Sequence, residues 1–244
     1  MHAFNHPLET TDLTNNQRHT TGMMFTQAVA IASIFTIVSA DAYYNQCSNR
    51  YDVSSPDWQN VGGHGLTKIG VNGCKNEGVA FYATLDYTGA DATMKSYPHA
   101  AVTQNLGKPM SSYVSIPAVL NWHWRGLPDD QTHGYVALAV VHGEWTLRVI
   151  LSFRGAGSPG TLVGNFVVGG RNWILYRDGP IYSYVNNQEL PHATTFTTNL
   201  ISFVRHAATQ GARVQGTLKE VSGGIYFFKG KAAIIFDEFA ALPR

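Results

Sequence analysis

An all-β sandwich or barrel carrying a single helix is the fold class this sequence predicts, and three observations carry that expectation. Runs of β-forming residues recur along most of the chain, glycine-bearing turn signals separate them, and one stretch alone has helical spacing. Residues 79–85, 135–141, 145–153, 162–168 and 173–176 are rich in β-branched and aromatic side chains. Thr88-Gly89, His142-Gly143, residues 155–160, Gly169-Gly170 and Asp178-Gly179-Pro180 punctuate them. Many short strands with frequent turns make a sandwich or a barrel. The helix is expected over 197–208, where Leu200, Ile201, Val204 and Ala208 recur on one face and Gly211 follows as a stop signal.

Composition bounds the function. The 244 residues carry a formal net charge of +1, too little basic surplus to hold a phosphate backbone. Only 14% of residues are charged, against 12% aromatic and 24 glycines, which excludes a disordered chain and a coiled coil. No apolar run reaches the roughly 18 residues that a membrane-spanning helix needs. Neither nucleic acid nor membrane is expected as a partner.

The first forty residues read as an extension plus a leader. Residues 1–22 are polar, and an apolar h-region over 25–39 ends in the small-residue pattern Val38-Ser39-Ala40. Arg18 alone supplies formal positive charge ahead of it, and a buried helix is the competing reading of the segment. A secreted protein with a mature domain over 41–244 is therefore expected. Its two cysteines, Cys47 and Cys74, suit a disulfide in an oxidising compartment, with two free buried thiols as the alternative.

Several chemistries lack their residues. None of the ten histidines has zincin spacing, and the cysteines are too far apart for a zinc knuckle, so no metal site is expected. Gly157-Ser158-Pro159-Gly160 approaches a nucleophile elbow, but Ala156 replaces its leading glycine and no helix pattern follows. No phosphate-cradling glycine loop is present, and no cofactor is expected.

Residues 87–100, reading Tyr-Thr-Gly-Ala-Asp-Ala-Thr-Met-Lys-Ser-Tyr-Pro-His-Ala, resemble a signature of the glycoside hydrolase family 12 endoglucanases and xyloglucanases. Further pieces follow in the family's order: Ser115-Ile116-Pro117, Trp122-His123-Trp124, Gly155-Ala156-Gly157, Trp173-Ile174-Leu175-Tyr176 and Ile181-Tyr182-Ser183-Tyr184-Val185. The helix near Leu200 falls where the family's lone helix lies, and the Cys47–Cys74 spacing resembles its N-terminal disulfide. The resemblance spans about residues 41–240. It implies a jelly-roll sandwich of two curved antiparallel sheets, with a concave cleft for β-1,4-glucan chains and one helix near the C-terminus.

The family cleaves by a retaining mechanism, which needs two carboxyl groups about 5–5.5 Å apart. Its nucleophile opens a Glu-aliphatic-Met-Ile-Trp strand, whose match here is Thr146-Leu147-Arg148-Val149-Ile150. Its acid/base lies in a Leu-Glu-Ala-Gly-Thr-Glu-Pro-Phe stretch, matched by Leu218-Lys219-Glu220-Val221-Ser222-Gly223-Gly224-Ile225. The resemblance thus puts Thr146 at the nucleophile, Gly223 at the acid/base and Ala139 at a supporting aspartate. A threonine without a strong base attacks poorly and a glycine moves no proton, so a pseudoenzyme is expected. Glu144, two residues before Thr146, shares its expected strand face, whereas Glu220 shares the face of Gly223 only across a bulge. Those two glutamates are the fallback pair for an active endo-β-1,4-glucanase.

The resemblance also places a cleft around Trp58 and Asn60, with Trp122 and Trp124 on one strand face as either a sugar platform or core. Arg148 replaces a family methionine and would put a cation there, which suits an acidic partner better than a neutral glucan. Expected partners are a β-1,4-glucan or xyloglucan, or a proteinaceous glucanase inhibitor, bound by a monomer. An unrelated secreted lectin of sandwich fold is the remaining reading.

Overall fold

The structure is a computed structural model that describes residues 43–44, 47, 49–56, 64–75, 77–89, 93–126, 130–186, 194–213 and 215–244. The expected leader, Trp58 and Asn60 lie outside the described residues.

Thirteen strands build two sheets joined through the last of them. In chain order they are β1 (Tyr43–Tyr44), β2 (Tyr51–Ser54), β3 (Gly65–Lys75), β4 (Gly78–Tyr87), β5 (His99–Val102), β6 (Pro117–Trp124) and β7 (His133–His142). There follow β8 (Trp145–Arg154), β9 (Thr161–Val168), β10 (Arg171–Asp178), β11 (Ile181–Asn186), β12 (Thr194–Asn199), helix α1 (Leu200–Thr209) and β13 (Leu218–Ala241). The larger sheet runs β1-β2-β5-β13-β7-β8-β11-β10-β9, and the smaller one β3-β4-β13-β6-β12. Pairing is antiparallel except between β8 and β11, which run parallel. This is the sandwich that the strand and turn pattern predicts.

The 24-residue β13 serves both sheets because it changes sheet partway along. Residues up to Lys229 pair with β5 and β7, and residues from Gly230 pair with β4 and β6. The ladder slips between Phe227 and Lys229, and Gly230 has φ +95°. A Cβ at Gly230 would lie 2.6 Å from Thr132 Cα, so both the turn and the close approach demand glycine there.

Alternation along each strand divides side chains between two faces. Val136, Leu138 and Val140 of β7 and Leu147 and Val149 of β8 enter the core between the sheets. There they join Phe81, Phe236 and Phe239, with the Phe81 and Phe236 rings stacked at 4.4 Å. Trp122 is buried in this core and Trp124 packs against it, both from the smaller sheet. They are therefore core aromatics, and neither belongs to the opposite face of the larger sheet, where a second apolar cluster collects Tyr97, Tyr135, Ala137, Ile150 and Tyr226.

Helix α1 is shorter at its start than its spacing predicts, because residues 197–199 finish β12. Asn199 caps it: its Oδ1 accepts from Ile201 N at 3.3 Å and from Ile116 N at 2.8 Å. Leu200, Ile201, Phe203, Val204 and Ala207 form the buried face, and Gly211 at φ +92° follows the last turn. Cys47 and Cys74 form the expected disulfide, which ties the segment before β2 to β3 across 27 residues.

Replacing both cysteines by serine is expected to lower stability by about 3–4 kcal/mol in a guanidinium titration, from the loop it opens. Gly230→Ala should cost at least about 2 kcal/mol in the same assay, since it combines backbone strain with overlap. An unchanged midpoint for either would contradict this view of the scaffold.

Candidate functional site

The outward face of the larger sheet presents Glu220, Ser222, Gly224 and Tyr226 from β13, and Tyr135, Ala137, Ala139 and Val141 from β7. Thr146, Arg148 and Ile150 come from β8, His99 from β5, Asp52 from β2 and Ser183 from β11. Register orders them in rows across the strands. One row runs Glu220, Val141, Thr146; the next runs Asp52, Ala101, Ser222, Ala139, Arg148, Ser183.

Arg148 sits among tyrosines. Its guanidinium lies 4.4 Å over the Tyr226 ring, and Nη1 donates to the Tyr135 hydroxyl at 3.2 Å. Burial opposes the charge on Arg148, but Tyr226 and Tyr135 outweigh that effect, so its pKa is raised and it stays a cation. Burial pushes the Tyr135 phenol up to about 12 and raises that of Tyr226, with Arg148 opposing both. These phenols are neutral at physiological pH, so neither offers an activated oxygen for attack.

A second chain of contacts runs beside it. Tyr97 stacks on Tyr226 at 4.1 Å and on His99 at 4.3 Å. Burial holds the Tyr97 phenol protonated, and its hydroxyl meets Ser222 Oγ at 2.9 Å. Ser222 in turn donates to Glu220 Oε1 at 2.6 Å, so the serine accepts from the tyrosine. His99 Nδ1 lies 2.8 Å from the Tyr97 carbonyl, which only accepts, so Nδ1 carries the proton. Burial lowers the His99 pKa, with Glu220 pulling the other way. The neutral ring then presents a bare Nε2 to Glu220 Oε1 at 4.0 Å.

The residues singled out from the sequence fare differently. Thr146, Arg148 and Ala139 face outward. Gly223 does not: a Cβ there would point into the core, 2.6 Å from Phe239 and 3.1 Å from Leu120. Its neighbours Ser222 and Gly224 hold the outward positions, so the register drawn from the motif is out by an odd number of residues. Glu220 faces outward, after a ladder irregularity between Leu218 and Glu220. Glu144 is in the β7–β8 turn rather than on the strand, exposed and 3.9 Å from Arg213. The two fallback glutamates are thus engaged in separate places.

Sequence reading missed Tyr97, Tyr135, Tyr226, His99 and Asp52. Alternation within residues 135–141 was available as a signal for Tyr135, but the pairing of β5 with β13 is not encoded in any local pattern. Asp52 shares the outward face with Glu220, yet two strand spacings and two residues separate them, about 12 Å between Cα atoms. No group of three or more metal-binding side chains assembles among the described residues.

Gly223→Glu tests the facing directly. It should destabilise by more than about 4 kcal/mol in thermal unfolding, because it buries a carboxylate where there is no space. His99 gives a pH signature with a definite sign. Below its ordinary pKa of 6.5 the unfolded imidazole takes a proton that the buried ring refuses, so stability falls as pH drops until the folded pKa is passed. His99→Gln should flatten that slope in urea titrations between pH 7 and pH 5, leaving the share of His206, whose pKa burial also lowers. A slope unchanged by the substitution would contradict the neutral, buried ring.

No protein-family model matches the chain. Over 173 residues it is 24% identical to a probable xyloglucan-specific endo-β-1,4-glucanase A of Aspergillus terreus, covering 66% of this chain and 68% of that protein. The family 12 endoglucanase 3 of Trichoderma harzianum superimposes with a TM-score of 0.73 at 20% identity, covering 83% of this chain and 94% of that one. The Humicola grisea Cel12A catalytic domain, solved with a soaked thio cellotetraose, gives 0.70 at 20% identity, covering 80% and 93%. The xyloglucanase domain of Sinorhizobium fredii NopAA, in complex with cellobiose, gives 0.68 at 18% identity, covering 85% and 99%. The described domain therefore has the jelly-roll fold of the family 12 glycoside hydrolases.

Proposed function

We propose that this chain is a divergent, exported member of glycoside hydrolase family 12 that binds along the outward face of its larger sheet without hydrolysing what it binds. One observation carries the reading. Among the outward-facing positions of β13, β7 and β8 in the larger sheet, Glu220 is the one acid, and the middle of that face holds Arg148 packed on Tyr226. Double displacement needs a second carboxyl about 5–5.5 Å away. Thr146 is in the row of Glu220 but has no strong base beside it among its paired neighbours, Val141 and Ile181. Loss of general acid–base assistance alone slows such a reaction by about 10²–10⁴.

The ligand class follows from the fold's relatives: the cellobiose complex of NopAA and the cellotetraose complex of Cel12A support a β-1,4-glucan in the groove. A glucanase inhibitor protein is the second occupant that a vacated cleft of this shape would suit. The Cys47–Cys74 disulfide supports export, since disulfides persist in oxidising compartments. A monomer is the working assembly in this reading. The competing reading, an active glucanase, would have to run on Glu220 with a carboxylate other than Glu144.

Reducing-end release from xyloglucan, mixed-linkage β-glucan and carboxymethylcellulose by the purified chain separates the two. The expected outcome is no release above the buffer control, together with retention of the chain on insoluble glucan. Turnover that disappears in Glu220→Gln would overturn the proposal, and co-precipitation of an inhibitor protein without glucan retention would replace the ligand.

A further inference from the structure

Arg148 is a cation without an anion. No carboxylate of the described residues pairs with it, and its Nε is buried without an acceptor. Its neighbour across the parallel β8–β11 pairing is Ser183, which is 0% exposed and whose Oγ also lacks a partner. Two unsatisfied polar atoms side by side on a sheet face are uncommon, because each loses its hydrogen bonds to water and gains none in return. The guanidinium's side-chain acceptors are the neutral hydroxyls of Tyr135, at 3.2 Å, and Tyr226, and a charged oxygen binds it more strongly than either.

From this juxtaposition we infer that the groove selects a sugar chain bearing carboxylates, a uronic-acid-containing β-1,4-linked glycan, and that Arg148 and Ser183 hold the carboxylate. The inference rests on the sugar-binding reading above and narrows its ligand. A guanidinium fork matches the planar carboxylate bidentately, and the serine hydroxyl supplies a donor beside it. Glu220 stands on the same face two strands away and Asp52 four strands away, so the local field suits single charges spaced along a chain rather than a dense polyanion. Phe153 and Phe228, half-buried beside Tyr135, offer apolar ring faces of the kind on which sugar rings pack.

The test is calorimetric titration of the full chain with cellotetraose and with its C6-carboxylated counterpart, which keeps the backbone linkage and adds only the acids. The carboxylated oligosaccharide should bind at least about tenfold tighter, the usual strength of one charge-assisted hydrogen bond. That preference should shrink at 0.5 M salt and vanish in Arg148→Gln. Arg148→Lys should keep part of the preference, and Ser183→Ala should reduce it without removing it. These two variants keep the test decisive if Arg148→Gln fails to fold by circular dichroism. Equal binding of both oligosaccharides, or a preference indifferent to all three substitutions, would overturn the inference while leaving glucan binding intact. Binding of neither would overturn the inference and the sugar-binding reading together. Cleavage products in the same samples would count against the loss of catalysis alone.

Discussion

The face on which each side chain of β13 emerges is the constraint on which the rest depends. One strand supplies the centre of the larger sheet and then the centre of the smaller one, so its alternation is locked by two sets of neighbours at once. A one-residue slip would drive Val221, Ile225 and Phe227 out of the core and bring Ser222, Gly224 and Tyr226 in. The positions available to groove chemistry are therefore fixed by packing on the other side of the sheet. Phe239 and Leu120 fill the space behind Gly223, and that close packing makes the position useless for catalysis whichever residue a motif comparison assigns to it.

Given that frame, the chemistry of the outward face follows from what occupies it. Three buried tyrosines, a buried histidine and an arginine occupy the middle of that face. The phenols are neutral because burial raises their pKa values, and the imidazole is neutral because burial lowers its own. Of the carboxylates on the face, Glu220 is held by Ser222 and faces the lone pair of His99, and Asp52 lies about 12 Å from it between Cα atoms. These groups donate, accept and stack, which is what a binding surface needs. They do not place a second carboxylate beside Glu220. The uncompensated guanidinium then becomes the most distinctive feature of the face, since charge without a partner is costly in a sheet surface unless a ligand supplies the counter-charge.

Much of the fold was legible in the sequence because it depends on local signals. β-branched and aromatic runs placed β4, β7, β8, β9 and β10, and Gly169-Gly170, both at positive φ, marked the tight turn between the last two. The helix was readable from its spacing and from Gly211, although the capping role of Asn199 moved its start to Leu200. The disulfide followed from an even cysteine count. What stayed open or failed depends on non-local pairing: the choice between platform and core for Trp122 and Trp124 is decided by their place in the smaller sheet, which their own sequence does not carry, and Glu144 falls in a turn rather than on the strand it precedes. Arg148, Thr146 and Ala139 came from the motif match to β7 and β8, both well-patterned strands, and the three share the outward face. Tyr97, His99 and Asp52 reach the face through the β2–β5–β13 order, which joins residues more than a hundred positions apart.

On the proposed reading, no carboxyl pair suited to double displacement assembles among the described residues of the larger sheet. Intact-mass spectrometry of the chain after incubation with a 2-deoxy-2-fluoro cellobiosyl fluoride addresses it most directly, because a retaining enzyme accumulates its covalent glycosyl intermediate on that reagent. The mass should stay unchanged. A mass increase of one glycosyl unit, localised by peptide mapping to a carboxylate of the larger sheet, would contradict it.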